Sequence, residues 1–345
     1  MIRIYNDTKV FVYCPAGVVS GGAELLHQLV HYLRCNGKEA FIVYYGVKPH
    51  IIPDDYKQYN IELTESVDYS PHNIEVLFEP QFYRAVMKTN TQKLLWWLSV
   101  DNFYRYCDSY LAVKDIAKWN KKHAVKVSLV RFISFLKGKK GCTLSLKDIA
   151  KLDVTSAYQS EYAQNFLQNN GFREMFPLKD YINIEHCKEF TTKDREDIIL
   201  YNPKKGLAFT RNLIKLMPEV KWVPIINMRR EQVIEAMRKA KVYIDFGYHP
   251  GKDRLPRECA MNGLCIITGK KGSARFYEDV WIDNKYKFDN KENEIDNIVS
   301  CLKETIENYE EAINDFRLYR YMISLEKSEF EYQIQHFFLN QLYDK

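Results

Sequence analysis

Three short stretches of this 345-residue chain combine glycine with cations: Asn202-Pro203-Lys204-Lys205-Gly206, the loop YHPGKDRLPRE with Gly251, Lys252, Asp253, Arg254, Arg257 and Glu258, and GKKGSA with Gly272 and Ser273. Glycine lets backbone amides come close to a ligand, and the first turn of a helix presents unpaired N–H groups with partial positive charge. Ammonium groups added at such a turn make a phosphate receptor, and three such loops together suit a diphosphate. A carboxylate about one turn into a helix, as Glu258 would be, can accept hydrogen bonds from vicinal sugar hydroxyls. Taken singly, each feature also has a plainer use: a solvated lysine pair, or a surface glutamate beside Arg257.

These loops need strands and helices to hold them, and the sequence supplies both. DIILYNP, KWVPI, KVYIDFG and CIITG are short apolar runs, alternating with the helical patterns LAFTRNLIKLM, REQVIEAMRKA and PRECAMNG. The first half has the same rhythm. KVFVYC is followed by AGVVSGGAE, by a helix in which Leu25, Leu29 and Leu33 form one stripe, and by FIVYYGV. The pattern continues through IEVLFEP, KLLWWLSVD and KLDVTSAYQS, the last leading into the helix EYAQNFLQNNG. Continuous rather than alternating apolar strands belong to parallel sheets covered on both faces. The expectation is an α/β protein with two Rossmann-like parallel-sheet domains facing a central cleft, split near PLKDYINIEHCKEFTTKDRED.

Composition removes several other classes. The chain is 46% hydrophobic and 28% charged, enough for true cores, and 50 basic against 45 acidic residues leave only +5, too little to mark a nucleic-acid binder. The eight cysteines include no CxxC pair, which speaks against zinc ribbons and thioredoxin-type sites. The N-terminus has no apolar stretch of signal-peptide length. AFIVYYGV and LLWWLSV fall far short of the ~20 residues needed to cross a bilayer, so a reduced cytoplasmic setting is expected. Residues 114–140 stand apart, with nine Lys/Arg, one Asp and interleaved Trp119, Val127, Leu129, Val130, Phe132, Phe135 and Leu136. They read either as a solvated helix packing its apolar side on the domain or as a peripheral contact with an anionic membrane.

The stretch KVYIDFGYHPGKDRLPRECAMNGLCIITGKKGSA resembles the C-terminal half of GT-B glycosyltransferases, notably the family-4-like group of bacterial polysaccharide and glycolipid enzymes. Glu258-Cys259-Ala260-Met261-Asn262-Gly263 matches the group's E-A-M-A-x-G segment, Asn202–Gly206 its K-G loop, Gly21-Gly22-Ala23-Glu24 its G-G-A-E turn, and Ser160-Glu161-Tyr162 its S-x-Y element. The resemblance implies an acceptor-binding domain over 1–185, a nucleotide-sugar domain over 186–315, and helices over 316–345 that cross back to the first. It also implies donor contacts from Gly21, Gly22, Asn202, Lys204, Lys205, Gly251, Lys252, Asp253, Arg254, Glu258, Gly272 and Ser273. Glu258 would meet the nucleotide ribose, and Glu24, Ser99, Asn102 and Ser160 would face the acceptor. The chain departs from the pattern twice. Pro250 stands where the first glutamate of E-x7-E belongs, with His249 or Asp253 as possible replacements. Ser99, Asp101 and Asn102 stand where the family's N-domain histidine would fall.

Transfer of a sugar from a diphosphate needs a stabiliser for the leaving group's charge and a fate for the acceptor's proton. Lys205 and its cationic neighbours supply the first. Asp101, at the end of LLWWLSV, is the candidate base, or an acceptor ligand if configuration is retained. No D-x-D loop follows a strand, Asp279 and Asp283 having the wrong spacing, so the expected chemistry uses no metal and no cofactor beyond the nucleotide-sugar donor. The expected partners are that donor and a glycan or lipid-linked acceptor, at the inner face of the cell membrane. Competing readings are a nucleotide-sugar epimerase on the same fold and a catalytically degenerate nucleotide- or glycan-binding scaffold.

Overall fold

The computed structural model describes every residue except 108, 139–142, 184–187, 341, 342, 344 and 345. Cys142, Cys187 and the Lys139-Lys140 end of the basic segment therefore lie outside the described residues. The chain divides into two compact units, Met1–Asp180 together with Ser328–Lys345, and Tyr181–Lys327.

The first unit is built on six strands: β1 Val10–Pro15, β2 Ala40–Tyr45, β3 Ile74–Phe78, β4 Gln92–Trp97, β5 Thr155–Tyr158 and β6 Met175–Pro177. All pair in parallel, in the order β2-β1-β3-β4-β5-β6. Leu94, Leu95, Trp96 and Trp97 of β4 are all fully buried, which is why this strand shows an unbroken apolar run. The helices are α1 Gly21–Cys35, α2 Val100–Tyr106, α3 Val113–Trp119, α4 Lys121–Leu136, α5 Leu146–Ile149 and α6 Glu161–Asn169. Leu25, Leu29 and Leu33 form the fully buried stripe of α1. The C-terminal segment returns to this unit: Phe337 stacks on Phe176 with ring centroids 4.0 Å apart, and Lys179 N–H donates to Gln333 Oε1 at 2.8 Å.

The second unit has five parallel strands, β7 Glu196–Tyr201, β8 Lys221–Pro224, β9 Ala240–Asp245, β10 Cys265–Gly269 and β11 Lys287–Phe288, in the order β11-β10-β9-β7-β8. Its helices are α7 Leu207–Leu216, α8 Arg230–Lys239, α9 Arg254–Met261, α10 Ile295–Glu307 and α11 Tyr309–Ala312. The division between the units falls inside α12, Arg317–Ile334. Val242, Tyr243 and Ile244 of β9 and Ile266 and Ile267 of β10 form the centre of its core. The edge strands β6 and β11, three and two residues long, are too short to carry a periodic signal in the sequence. Among the described residues no helix is long and apolar enough to cross a membrane.

Candidate functional site

In the second sheet the chain goes from β7 outward to β8, then returns to place β9 on the other side of β7. The loops after β7 and β9 therefore leave the sheet side by side and diverge, and such a switch point opens a crevice at the carboxyl ends of the strands. The two loops touch at glycine. Gly206, the N-cap of α7, has φ +61°, and a Cβ there would sit 2.6 Å from the carbonyl carbon of Phe246. Both the left-handed backbone and the close approach exclude other residues. Gly206 also leaves the first turn of the ten-residue α7 without a side-chain cap, so its amides keep their capacity to bind an anion. Asn202 shapes the turn, its Oδ1 accepting from Lys204 N–H at 3.0 Å. Lys204 is exposed and Lys205 half-buried.

The loop after β9 locks onto the loop after β10. Ser273 N–H donates to His249 O at 2.9 Å and Ser273 Oγ to Gly251 O at 2.6 Å. Gly272, at φ +63°, faces the His249 carbonyl so closely that a Cβ would collide with it. Gly251, Gly272 and Ser273 thus have a structural use: Ser273 spends its amide and hydroxyl inside the unit instead of presenting them outward.

Beneath these loops runs a line of charge. Asp245, at the end of β9, accepts from Gly247 N–H at 2.9 Å and from Tyr243 OH at 3.1 Å, and its carboxylate lies 3.5 Å from His249 Nε2. His249 Nδ1 lies 3.2 Å from Asp253 Oδ2, the oxygen that also takes the Lys205 ammonium. His249 is fully buried, and burial alone would lower its pKa, but Asp245 and Asp253 hold the imidazolium above the ordinary histidine range. Burial likewise opposes the charge on Asp245, yet His249, and after it Lys205, keep its carboxyl below the usual range. Asp245, His249 and Asp253 offer ligand atoms within 4.8 Å of one another, a metal-like spacing. Lys205 is the fourth charged group of this cluster, through its ion pair with Asp253.

The cations on α9 and its approach are unequally placed. Lys252 Nζ and Arg257 Nη1 each lie 2.7 Å from Glu326, and all three side chains are buried. The charge of Lys252, expected to face a diphosphate, is met inside the unit, and Arg257 is likewise engaged by Glu326. Arg254 opens α9 half-buried, and Glu258 follows one turn on, also half-buried. The structure thus gathers Asn202, Lys204, Lys205, Asp253 and Arg254 around the switch point.

In the first unit the expected residues fall at the ends of β1, β4 and β5. Ser20 caps α1, accepting from Ala23 N–H at 3.3 Å, and Gly21 and Gly22 form its first turn; a Cβ on Gly22 would meet nothing closer than Leu98, 3.8 Å away. Glu24 accepts from Tyr59 OH at 2.7 Å. Ser160 is the buried N-cap of α6, its Oγ accepting from Ala163 N–H at 3.1 Å. Asp101 and Asn102 lie in the first turn of α2, behind Ser99. Burial pushes Asp101 up to about 6, against hydrogen bonds from Tyr162, whose OH is 3.2 Å from both carboxylate oxygens, and from Trp119. Tyr162, read in the sequence only as the end of the S-x-Y element, is thus a partner of Asp101. Glu79, directly after β3, escaped the sequence reading. Glu79 is buried, accepts from Ser99 N–H at 2.5 Å, and is pushed up to about 8 by burial. A carboxylate closing the apolar run IEVLF was the available signal.

No family model and no curated protein matches the chain. Solved structures do. Sucrose-phosphate synthase from Thermosynechococcus elongatus superposes with a TM-score of 0.64 at 10% identity over 95% of this chain and 98% of its own. Anabaena HepE in complex with UDP gives 0.60 at 10% identity, with the same coverage of 95% and 98%. The lipopolysaccharide outer core galactosyltransferase WaaB gives 0.54 at 10% identity, over 94% and 97%. At such identities the likeness is one of fold, and with its two parallel-sheet α/β units the chain has the GT-B glycosyltransferase fold that its motifs resemble.

Proposed function

We propose that this protein transfers a hexosyl group from a nucleoside-diphosphate sugar to a glycan or lipid-linked glycan acceptor, in polysaccharide or glycolipid synthesis at the inner face of the cell membrane. The observation that carries the reading is the β7–β9 switch point, where the uncapped first turn of α7 and the Lys205 ammonium converge. When the bond from C1 to the diphosphate breaks, negative charge grows on the leaving oxygen. The α7 amides and Lys205 stabilise it without reorganising, as preorganised donors do. Lys205 then exchanges Asp253 for phosphate, and His249 keeps Asp253 compensated.

Glu258 takes the ribose hydroxyls. Of the two candidates for the missing first glutamate's place, Asp253 keeps a partly exposed carboxylate while His249 is enclosed. Asp101, pushed up to about 6, is poised to accept the acceptor's proton at neutral pH. The reading is metal-independent, supported by the Lys205 ammonium and the uncapped α7 amides, which can meet the diphosphate's charge themselves, and turnover is expected to survive a chelator.

A melting-temperature panel of UDP, GDP, dTDP and their sugars tests the reading. A diphosphate at 100 times its Kd raises stability by about 2.7 kcal/mol, and no shift with any of them sinks the proposal. Incubation with the donor alone separates transfer from epimerisation, since an epimerase converts its donor without an acceptor.

A further inference from the structure

Helix α4 shows two apolar faces, and the protein covers only one. Ala124 and Val127 are buried, Arg131 anchors the same side by donating to Leu111 O at 2.7 Å, and α3 packs against it. On the opposite side Val125, Leu129, Phe132, Ile133 and Leu136 recur at helical spacing, each more than half exposed. Lysines flank this stripe: at 100° per residue, Lys126 and Lys137 fall on one border, Lys121 on the other, and Lys122 near its start. No acidic residue lies in α4. Positive charge continues into the neighbouring layer. Lys114 and Lys118 of α3 line a cavity of about 870 Å³ together with Lys147, Lys151 and Arg173, against the acids Asp115 and Glu174 alone.

An exposed apolar stripe of this size on a soluble surface marks an interaction site, and its border selects the partner. A second copy would set lysine against lysine. A sixteen-residue helix is too short to span a bilayer and carries too much charge. An apolar stripe between lysine rows suits a helix lying in the plane of an anionic bilayer, with its rings among the acyl chains and its ammonium groups at the phosphates. We infer that α4 docks the first unit onto an anionic lipid surface, inserting Leu129, Phe132, Ile133 and Leu136. The inference rests on the glycosyl-transfer reading only for its consequence, that the acceptor is met in the plane of the membrane.

Co-sedimentation with vesicles of phosphatidylcholine, with and without phosphatidylglycerol, tests it in the absence of any donor sugar. The full chain is expected to pellet with the anionic vesicles alone and to be released by salt. The exposed triple variant Leu129→Ser, Phe132→Ser, Leu136→Ser should lose at least tenfold in partitioning while keeping the wild-type melting temperature without ligand, which certifies its fold. Each of Lys122→Gln, Lys126→Gln and Lys137→Gln should cost about fivefold. Equal binding to neutral vesicles, no binding, or binding unmoved by the triple variant would overturn the inference. So would a dimer in sizing chromatography that the triple variant dissolves, since a second copy would then cover the stripe. The melting panel reports independently on the transferase reading, so either can fail alone.

Discussion

At the end of β4 in the first unit, Asp101 is buried in the company of hydrogen-bond donors, Tyr162 and Trp119; at the end of β9 in the second, Asp245 is buried in the company of cations, His249 and Lys205. The two carboxyls move in opposite directions. Burial raises Asp101 to about 6 and Glu79 to about 8 because neutral donors cannot repay the lost hydration of a charge. Asp245 stays below the usual range because its partners are ionised. One fold therefore holds a strand-end carboxylate in two ways: as a reservoir that can take a proton near neutrality, and as a fixed charge that fastens a loop. In the proposed transfer the first would serve an acceptor whose proton must go somewhere, and the second a diphosphate that must always meet the same geometry.

The largest way to break this contrast is to unpair the fixed charge of the second unit. Glu326 serves both Lys252 and Arg257 inside the protein. Removing one member of a buried ion pair strands the other, at a cost of about 3–5 kcal/mol. Glu326→Ala should lower the unfolding free energy of the second unit by that amount, while Glu326→Gln, which keeps hydrogen-bond acceptance, should cost less. Equal stability of wild type and Glu326→Ala in urea would show that the network is solvated and not a fastening.

Next in size is Lys205→Ala, expected to lower kcat by roughly 10²–10³, or 2.7–4 kcal/mol, the usual loss for one preorganised donor. The unfolding midpoint should hardly change, because the ion pair to Asp253 is half-exposed and such pairs stabilise by about 1 kcal/mol at most. A fall in stability without a fall in kcat would move Lys205 from chemistry to fastening.

How much of this was legible in the sequence differs between the units for the same reason. Gly206 and Gly272 announced tight loops because positive φ and close backbone contact leave no other residue, and such constraints are written within a short motif. The strand runs were equally plain, since two-sided burial demands continuous apolar residues. What stayed hidden was pairing at long range. Lys252 and Arg257 read as ligand-facing cations until Glu326, some seventy positions away, met them. Ser160 read as an acceptor contact, although a serine before a helix is first of all a cap. Glu79 carries no local motif, and the S-x-Y element did not reveal that Tyr162 meets Asp101, because both surroundings are made by separate strands. The second face of α4 could be seen in the residues but not assigned, since only the packing of Ala124 and Val127 tells which side is left outward.

The opposed carboxyls also predict opposed pH limbs. A group whose folded pKa is raised contributes stability below its unfolded value and loses it as pH rises through the folded one; a depressed carboxyl does the reverse. The first unit should therefore weaken as pH climbs through about 6 and again through about 8, as Asp101 and Glu79 are forced to ionise. The second should weaken on acidification, as Asp245 takes a proton, and again as pH rises past the ordinary histidine range, as the raised His249 loses one. Hydrogen exchange resolved by unit reads both. Glu79→Gln should flatten the alkaline limb of the first unit alone, and an unchanged limb would mean that the carboxyl is already charged in the folded state.

The smallest expected effect sharpens the contrast most. Ser160 is buried and its Oγ already accepts the Ala163 amide, so Ser160→Ala should cost the about 1 kcal/mol of a lost cap and leave the acceptor KM where it was. Ser160→Asp, which can still cap α6, should recover most of that stability. If instead KM for the acceptor rises in the alanine variant while the melting temperature holds, the hydroxyl leaves its cap to meet the acceptor. The end of β5 would then be part of the proton-accepting surface that Asp101 and Tyr162 begin.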